Sequence, residues 1–239
     1  GSLPLIYIIN HQIMEFLMKP VLFSFWRSLA AWRVRIALNL KKIDYDLSVV
    51  NLLEGEQFKD SFTSHNPEHS VPVLQLDGDS FAQSLAIIEY LDERYGGKLL
   101  LPSESLDRYL CRRFSLISAA DSHPVMVPRV RRLLASEYGF NESQVTDFCA
   151  YFMRRGCEAM EKLLSHDEYL SYQKTGPYVL GGTISMADLC LIPHIQGARN
   201  FGVDVSVYER LISIETALYE LEEVEQAHPK YHPGFVKPQ

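Results

Sequence analysis

The chain has 239 residues, 47% of them hydrophobic, which is enough to bury one large core or two modest ones. A charged fraction of 22% without any low-complexity tract argues against disorder. The formal net charge of −7 argues against nucleic acid as the main partner, because phosphate binding requires a basic surface.

The cysteines and the N-terminal residues set further limits. The chain has four widely separated cysteines: Cys111, Cys149, Cys157 and Cys190. Since none forms a CxxC pair, we expect reduced thiols in a cytoplasmic protein, with no disulfide framework and no metal site. The sequence contains no run of about 20 apolar residues, so we predict no membrane-spanning helix. Residues 1–17 are interpreted as an N-terminal extension or tag remnant, with Met18 as the natural start.

Residues 18–99 alternate between strand and helix patterns. Strands are predicted for segments 21–25, 45–50 and 71–76, and helices for segments 30–41, 54–62 and 84–95. Arg33 lies off the apolar stripe of the first helix, and Asp77-Gly78 is a hairpin signal after the third strand. The order β-α-β-α-β-β-α predicts an α/β domain with a mixed sheet and a helix-covered face, which is the thioredoxin-like arrangement.

Pro72 marks the start of the third predicted strand. Because proline cannot donate to a central ladder, we place it at the start of an edge strand, with either a cis or a trans peptide bond. A cis bond would leave the backbone N–H and C=O of Val71 facing a ligand.

Residues 105–239 show no strand-like alternation and predict an all-α domain after a short linker at 100–104. Helices are predicted for segments 106–134, 142–166, 185–201 and 208–226. Ser185 and Asp188 have the spacing of a capping box, and Ile184 can act as its hydrophobic staple. The clustered arginines of this domain are interpreted as solvated helix faces; they are Arg112, Arg113, Arg129, Arg131 and Arg132.

Several motifs connect the chain to a known family. The most specific is SLAAWRVRIAL at 28–38, and the Val-Pro pair at 71–72 and the Gln-Ser pair at 83–84 are more widely shared. The segment GTISMADLCL at 182–191 extends the match over nearly the whole chain. In these motifs the chain resembles the zeta-class glutathione transferases, the class that includes maleylacetoacetate isomerase.

The resemblance implies a cytoplasmic homodimer that binds glutathione and a small electrophilic or unsaturated acid, in aromatic amino acid catabolism. It assigns Ser28 to the thiol, because the start of a helix can lower a thiol pKa from about 8.5 to roughly 3.5–7.5. Ser28 would then stabilise a nucleophile that glutathione brings. Ser84, at another helix N-terminus, is assigned to the γ-glutamyl carboxylate. The other glutathione contacts that the resemblance implies are Gln57, Val71, Pro72, Gln83 and His123.

The second-substrate pocket departs from the family pattern. Leu29 and Ala30 replace the usual Ser-Cys pair, and Asn200 stands where isomerases of this class hold an arginine for a substrate carboxylate. Arg199, one position earlier, points about 100° away on a helix. We therefore expect a pocket that is less polar than the family's. Its predicted residues are Leu29, Ala30, Met126, Val127, Arg129, Arg199 and Asn200.

Three functions remain open from the sequence. The first is a glutathione-dependent cis–trans isomerase of the maleylacetoacetate type, in which a thiolate adds to an activated double bond. The second is a conjugating transferase for hydrophobic electrophiles, which the apolar Leu29, Ala30 and Met126 favour. The third is a non-enzymatic glutathione-binding regulatory protein, which the intact Ser28 disfavours because a regulator would not need it.

Overall fold

A computed structural model describes residues 19–237, and the interpretations of residues 1–18 lie outside this range. Among the described residues, four strands form a mixed sheet in the order β2-β1-β3-β4. Their bounds are Val21–Ser24 (β1), Asp46–Val49 (β2), Val73–Leu76 (β3) and Asp79–Ala82 (β4). β1 is parallel to β2 and antiparallel to β3, and β3 is antiparallel to β4. The predicted thioredoxin-like arrangement is confirmed.

Helices cover this sheet as the sequence predicts. They are α1 (Leu29–Leu40), α2 (Asp60–Thr63) and α3 (Ser84–Tyr95), with a 3₁₀ turn at Glu56–Phe58. The short helix expected at 54–62 is divided, because Lys59 between the turn and α2 is extended with a ψ of 145°. Asp77 and Gly78 have positive φ values of 53° and 89° and join β3 to β4 in the predicted hairpin.

Two expectations for this domain are wrong. β3 lies between β1 and β4, so it is an inner strand and not an edge strand. Pro72 is accommodated because it precedes Val73, the first residue of the ladder, and the Val71–Pro72 peptide bond is cis. Arg33, expected off the apolar stripe, is only 1% exposed because α1 packs against helices of both domains.

The regular elements of the second domain are all helices within its described length, as predicted, apart from an isolated bridge between Tyr178 and Gly181. Its elements are α4 (Ser105–Leu116), a π-helical segment (Ile117–Ser122), α5 (His123–Met126), α6 (Pro128–Ser136), α7 (Glu142–Leu163), α8 (Asp167–Gln173), α9 (Met186–Asn200), α10 (Glu209–Tyr219) and α11 (Glu222–Gln226), followed by a 3₁₀ turn (Pro229–Tyr231).

The helix predicted at 106–134 is interrupted at Val127, because the residue before Pro128 adopts an extended ψ of 160°. Leu221, with a ψ of 122°, likewise divides the helix predicted at 208–226. The helix α8 has no counterpart among the predicted elements, because seven residues are too few to show a helical period.

The predicted capping box begins α9, the most deeply buried helix of the domain. The Asp188 carboxylate accepts the Ser185 N–H at 2.8 Å, the Ser185 hydroxyl at 3.0 Å and the Val179 N–H at 2.9 Å. Burial raises the pKa of Asp188 to about 6, and these hydrogen bonds oppose the increase. Ile184, the expected staple, is 1% exposed. The box therefore fixes the start of the helix whose far end reaches the candidate site.

Gly197 brings α9 close to α1. A Cβ at this position would lie 2.6 Å from Leu29 Cδ1 and 2.8 Å from Met153 Cε, so a hydrogen is required for this approach. Residues of both domains share one hydrophobic cluster across this contact. None of the helices within residues 19–237 has the length and hydropathy needed to cross a bilayer.

Candidate active site

A cavity of about 770 Å³ is lined by residues of both domains. The N-terminal domain contributes the thioredoxin-like wall, defined as Ser28, Gln57, Val71, Pro72, Gln83 and Ser84. The second domain contributes the helical wall, defined as His123, Met126, Val127, Arg129, Arg131, Arg132 and Asn200. Leu29 and Ala30, at the start of α1, also line the cavity. Every predicted site residue except Arg199 therefore borders the same space.

Ser28 is the N-cap of α1, and its Oγ accepts the Ala31 N–H at 3.1 Å. The cap uses a lone pair of the hydroxyl oxygen and does not use its proton. Within residues 19–237 the Oγ–H has no protein acceptor. The side chain can therefore cap the helix and donate to a ligand at the same time, where the helix dipole also favours negative charge.

The corner at Gln83 and Ser84 begins α3. Gln83 has a φ of 69°, a conformation that is unfavourable for any residue except glycine and that often occurs at binding sites. Its Nε2 donates to Glu68 Oε2 at 2.6 Å. Ser84 is 6% exposed, and its Oγ accepts Arg33 Nη1 at 3.3 Å. A helix N-terminus beside a buried arginine favours an anionic ligand group at this corner.

Two groups of the thioredoxin-like wall lack partners within the described chain. Gln57 is 4% exposed, and its Oε1 is buried without a hydrogen bond. The backbone N–H and C=O of Val71 have no protein partner within residues 19–237. Since an unpaired buried polar group costs about 1–3 kcal/mol, these groups are suited to a ligand that carries amide groups.

The helical wall carries more positive charge than the sequence predicts. Arg129, Arg131 and Arg132 lie on α6 and line the cavity together with Arg27 of the first domain. Arg129 and Arg132 are exposed, as expected of a solvated helix face, whereas Arg131 is half-buried, and this face borders the cavity. No local signature marks the orientation, so sequence reasoning finds the arginines but not their common direction.

Arg199 lies outside the cavity. Its Nη1 and Nη2 each contact a carboxylate oxygen of Glu215 at 2.6 Å. Asn200 lines the cavity instead, because consecutive residues on a helix point about 100° apart. The expectation of Arg199 as a pocket residue is therefore not met. The Arg112-Arg113 pair, in contrast, lies near the surface in ion pairs, as expected.

A buried polar network lies behind the cavity and was not apparent from the sequence. Arg33 Nη2 donates to Ser118 Oγ at 2.9 Å, and Ser118 contacts His194 Nδ1 at 3.2 Å. The His194 Nε2–H donates to the Met153 carbonyl at 3.0 Å. Burial, together with the charge of Arg33, lowers the pKa of His194 to about 4. An arginine within an otherwise apolar helix is the available sequence signal for such a network.

His123, predicted as a ligand contact, is half-buried at the cavity. Burial, followed by the charge of Arg33, holds the pKa of His123 well below its usual value. The imidazole is therefore neutral at physiological pH, with one nitrogen that can donate a hydrogen bond and one that can accept.

A thioredoxin-like domain followed by a helical domain, with a shared cavity at the start of α1, is the architecture of a glutathione transferase. Residues 22–99 match the family described as glutathione S-transferase, N-terminal domain. The chain is 37% identical over 217 residues to maleylacetoacetate isomerase of Mus musculus, covering 90% of this chain and 94% of that protein.

Solved structures give the same assignment. A maleyl pyruvate isomerase, described as a bacterial zeta-class glutathione S-transferase, has a TM-score of 0.84 and 35% identity, covering 89% of this chain and 98% of that chain. A second structure is maleylacetoacetate isomerase from Methylobacterium extorquens AM1, with bound malonate and GSH. It has a TM-score of 0.85 and 38% identity, covering 91% of this chain and 100% of that chain. The chain belongs to the maleylacetoacetate isomerase family of zeta-class glutathione transferases.

Proposed function

We propose that this chain is a glutathione-dependent cis–trans isomerase of the maleylacetoacetate type. The observation that carries the proposal is that one cavity contains a free hydroxyl at a helix N-terminus, an anion-binding corner and a cationic opposite wall. Bound glutathione supplies a thiolate that adds to an activated double bond and leaves after rotation about the resulting single bond.

The thioredoxin-like wall complements glutathione group by group. The N-terminus of α3 at Ser84 faces the γ-glutamyl carboxylate, and the positive charge of Arg33 behind it adds to the attraction. The unpaired N–H and C=O of Val71 bind the cysteinyl backbone. The orphaned Oε1 of Gln57 accepts an amide N–H of the tripeptide. These pairings satisfy protein groups that would otherwise remain buried and unpaired.

Ser28 positions the sulfur. Its Oγ–H donates to the thiolate, and the dipole of α1 adds to this preference for the ionised form. Each unit by which the thiol pKa falls corresponds to about 1.4 kcal/mol of preference for the thiolate. Ser28 is therefore a hydrogen-bond donor to the nucleophile and not the nucleophile itself.

The helical wall binds the acid. Its arginines attract carboxylates, and neutral His123 can hydrogen-bond to substrate or glutathione without adding charge. The related protein was solved with both malonate and GSH bound, which supports a dicarboxylate as a ligand of this family. Negative charge that develops on a carbonyl oxygen after thiolate addition is stabilised by the same cations.

The direct test is a spectrophotometric assay of maleylacetoacetate isomerisation with and without glutathione. We expect turnover that requires glutathione and that is not restored by another thiol lacking the γ-glutamyl group. Absence of turnover under saturating glutathione would contradict the isomerase proposal. Failure to bind immobilised glutathione would contradict any enzymatic function built on this cavity.

A conjugating transferase is the second candidate, because the surroundings of the thiol site are apolar. Leu29 is 4% exposed and Ala30 has no polar group, so the family's usual hydroxyl and thiol at these positions are missing. Conjugation of an aryl halide in the absence of isomerase activity would favour this candidate.

We also propose a cytoplasmic homodimer that takes part in aromatic amino acid catabolism. The four cysteines are free and buried, which suits a reducing compartment. Zeta-class relatives with the same architecture support the assignment by analogy. Sedimentation equilibrium of the purified chain tests the dimer, and a monomer at micromolar concentration would contradict it.

A further inference from the structure

Positive charge exceeds negative charge in the lining of the cavity. Arg27, Arg129, Arg131 and Arg132 line the cavity, and none forms an ion pair with a carboxylate in residues 19–237. Glu68 is the acidic residue of the lining, and it hydrogen-bonds to Gln83 on the thioredoxin-like wall. Five arginines elsewhere form ion pairs with carboxylates; these are Arg94, Arg112, Arg113, Arg199 and Arg210.

Arg131 differs from the other three because it is partly withdrawn from solvent. Its Nε is buried and has no hydrogen-bond partner. The guanidinium carbon lies 5.8 Å from the ring centroid of Phe201, within the range of a cation–π contact. Burial lowers the pKa of Arg131, and the like charges of Arg27 and Arg132 lower it further. The group is nevertheless charged at neutral pH, because arginine is not deprotonated in proteins.

Asn200 places a second donor at the same wall. Its Oδ1 accepts the amide of Gln196 at 2.9 Å, so its Nδ2 protons remain for another acceptor. Asn200 and Arg131 both line the cavity. Phe201, the residue after Asn200, contacts the Arg131 guanidinium through its ring, so the two donors lie on the same side of the cavity. A carboxylate has the acceptor geometry that satisfies both a guanidinium edge and an amide.

Arg131 also stands at the junction with a second cavity of about 470 Å³. Residues that line both cavities are Leu53, Pro128, Arg131, Arg132 and Phe201. Arg131 therefore borders both spaces and is half-buried between them.

We propose that Arg131 determines specificity by binding a carboxylate of the second substrate, with the Asn200 amide as its companion donor. The identity of that substrate rests on the proposed function, but carboxylate binding does not. A purely structural role in stacking on Phe201 would leave the buried Nε without an acceptor, whereas a bound carboxylate supplies one.

The test uses malonate as the probe and glutathione-loaded protein, with binding measured by calorimetry. Arg131→Met is expected to weaken malonate binding about 30-fold, the size of a lost charge-assisted hydrogen-bonded pair. Arg131→Lys, which keeps the charge but not the planar fork, is expected to recover part of the loss. Arg155→Met is the matched control, because Arg155 is exposed on α7 and contacts Tyr151 away from the cavity.

A kinetic measurement separates binding from folding. The ratio of kcat/KM for an unsaturated acid to kcat/KM for a neutral aryl halide is expected to fall about 30-fold in Arg131→Met. Equal malonate affinity in Arg131→Met and the unchanged protein, or no malonate binding by the unchanged protein, overturns the assignment. Malonate binding that depends on Arg131 without any isomerase turnover supports the assignment and contradicts only the proposed function.

If Arg131→Met does not fold, Asn200→Asp, an exposed change, must weaken malonate binding by charge repulsion.

Discussion

The two walls of the cavity are built in different ways. The thioredoxin-like wall presents backbone groups and helix N-termini, whose directions follow from a turn, a cap and a strand start. The helical wall presents side chains from α5, α6 and α9, whose directions depend on how these helices pack. The comparison teaches that recognition of a constant cosubstrate can be fixed in local backbone structure, whereas recognition of a variable substrate is carried by exchangeable side chains.

The largest expected effect concerns the buried polar network that joins the two domains behind the cavity. His194 has a pKa of about 4 in the folded chain against about 6.5 when unfolded, so the unfolded state binds more protons between these values. The contribution of His194 to the free energy of unfolding is fully present above pH 6.5. It falls by about 3 kcal/mol as the pH decreases toward 4.

Urea unfolding of His194→Gln over the same pH range provides the measurement. Glutamine can keep a donor and an acceptor but does not titrate, so the difference in unfolding free energy between the two proteins should change by about 3 kcal/mol. His232 titrates in both proteins and cancels in the difference. Parallel stability curves would show that the His194 contacts do not constrain its protonation.

A change at Ser28 tests the thioredoxin-like wall. Ser28→Ala removes the donor to the sulfur and should lower kcat about 100-fold, comparable to the loss of one catalytic hydrogen-bond donor. It also removes the α1 cap, which should lower the free energy of unfolding by about 1 kcal/mol. Ser28→Thr retains hydroxyl and cap and is the control. A Ser28→Ala enzyme with full activity and an unchanged pH profile would remove Ser28 from the thiol site.

Gly197→Ala tests how closely the two walls are coupled by packing. The added methyl group meets the flexible ends of Leu29 and Met153, so we expect a loss of about 1–2 kcal/mol and a displaced Leu29 beside the thiol site. Combination with Leu29→Ala should recover part of that loss in a double-mutant cycle. Strict additivity of the two changes would mean that the α1–α9 contact does not transmit the strain.

The smallest effect is expected for Gln57. Gln57→Ala removes one acceptor from the thioredoxin-like wall and should weaken glutathione binding about 5–10-fold, which corresponds to one neutral hydrogen bond. Gln75→Ala, in β3 and outside the cavity lining, serves as the control. Equal glutathione dissociation constants for the two variants, measured by calorimetry, would place Oε1 of Gln57 outside the binding interaction.

The same contrast explains what the sequence predicts well. The Asp77-Gly78 hairpin and the Ser185–Asp188 capping box depend on residues close in the chain, so their patterns specify their structures. Motifs also mark the thioredoxin-like wall because each binding group belongs to a strand–helix junction.

What the sequence does not predict depends on distant packing. Arg33 is polar in an apolar helix, and only the approach of Ser84 and Ser118 from other elements shows why it is buried. Arg131 and Arg199 look alike as helical arginines. Arg131 points to the cavity and Arg199 points to Glu215. The packing of neighbouring helices sets these directions, and no pattern in the adjacent sequence indicates it.

Arg33 donates to Ser84 in the first domain and to Ser118 in the second, so a single charge is shared across the boundary between them. An anion bound at Ser84 lowers the free energy cost of keeping that charge dehydrated, and the gain is distributed to both domains. Cosubstrate occupancy is thereby coupled to the melting of the entire chain. The two domains, although different in architecture, are expected to unfold as one cooperative unit whose midpoint rises with glutathione concentration.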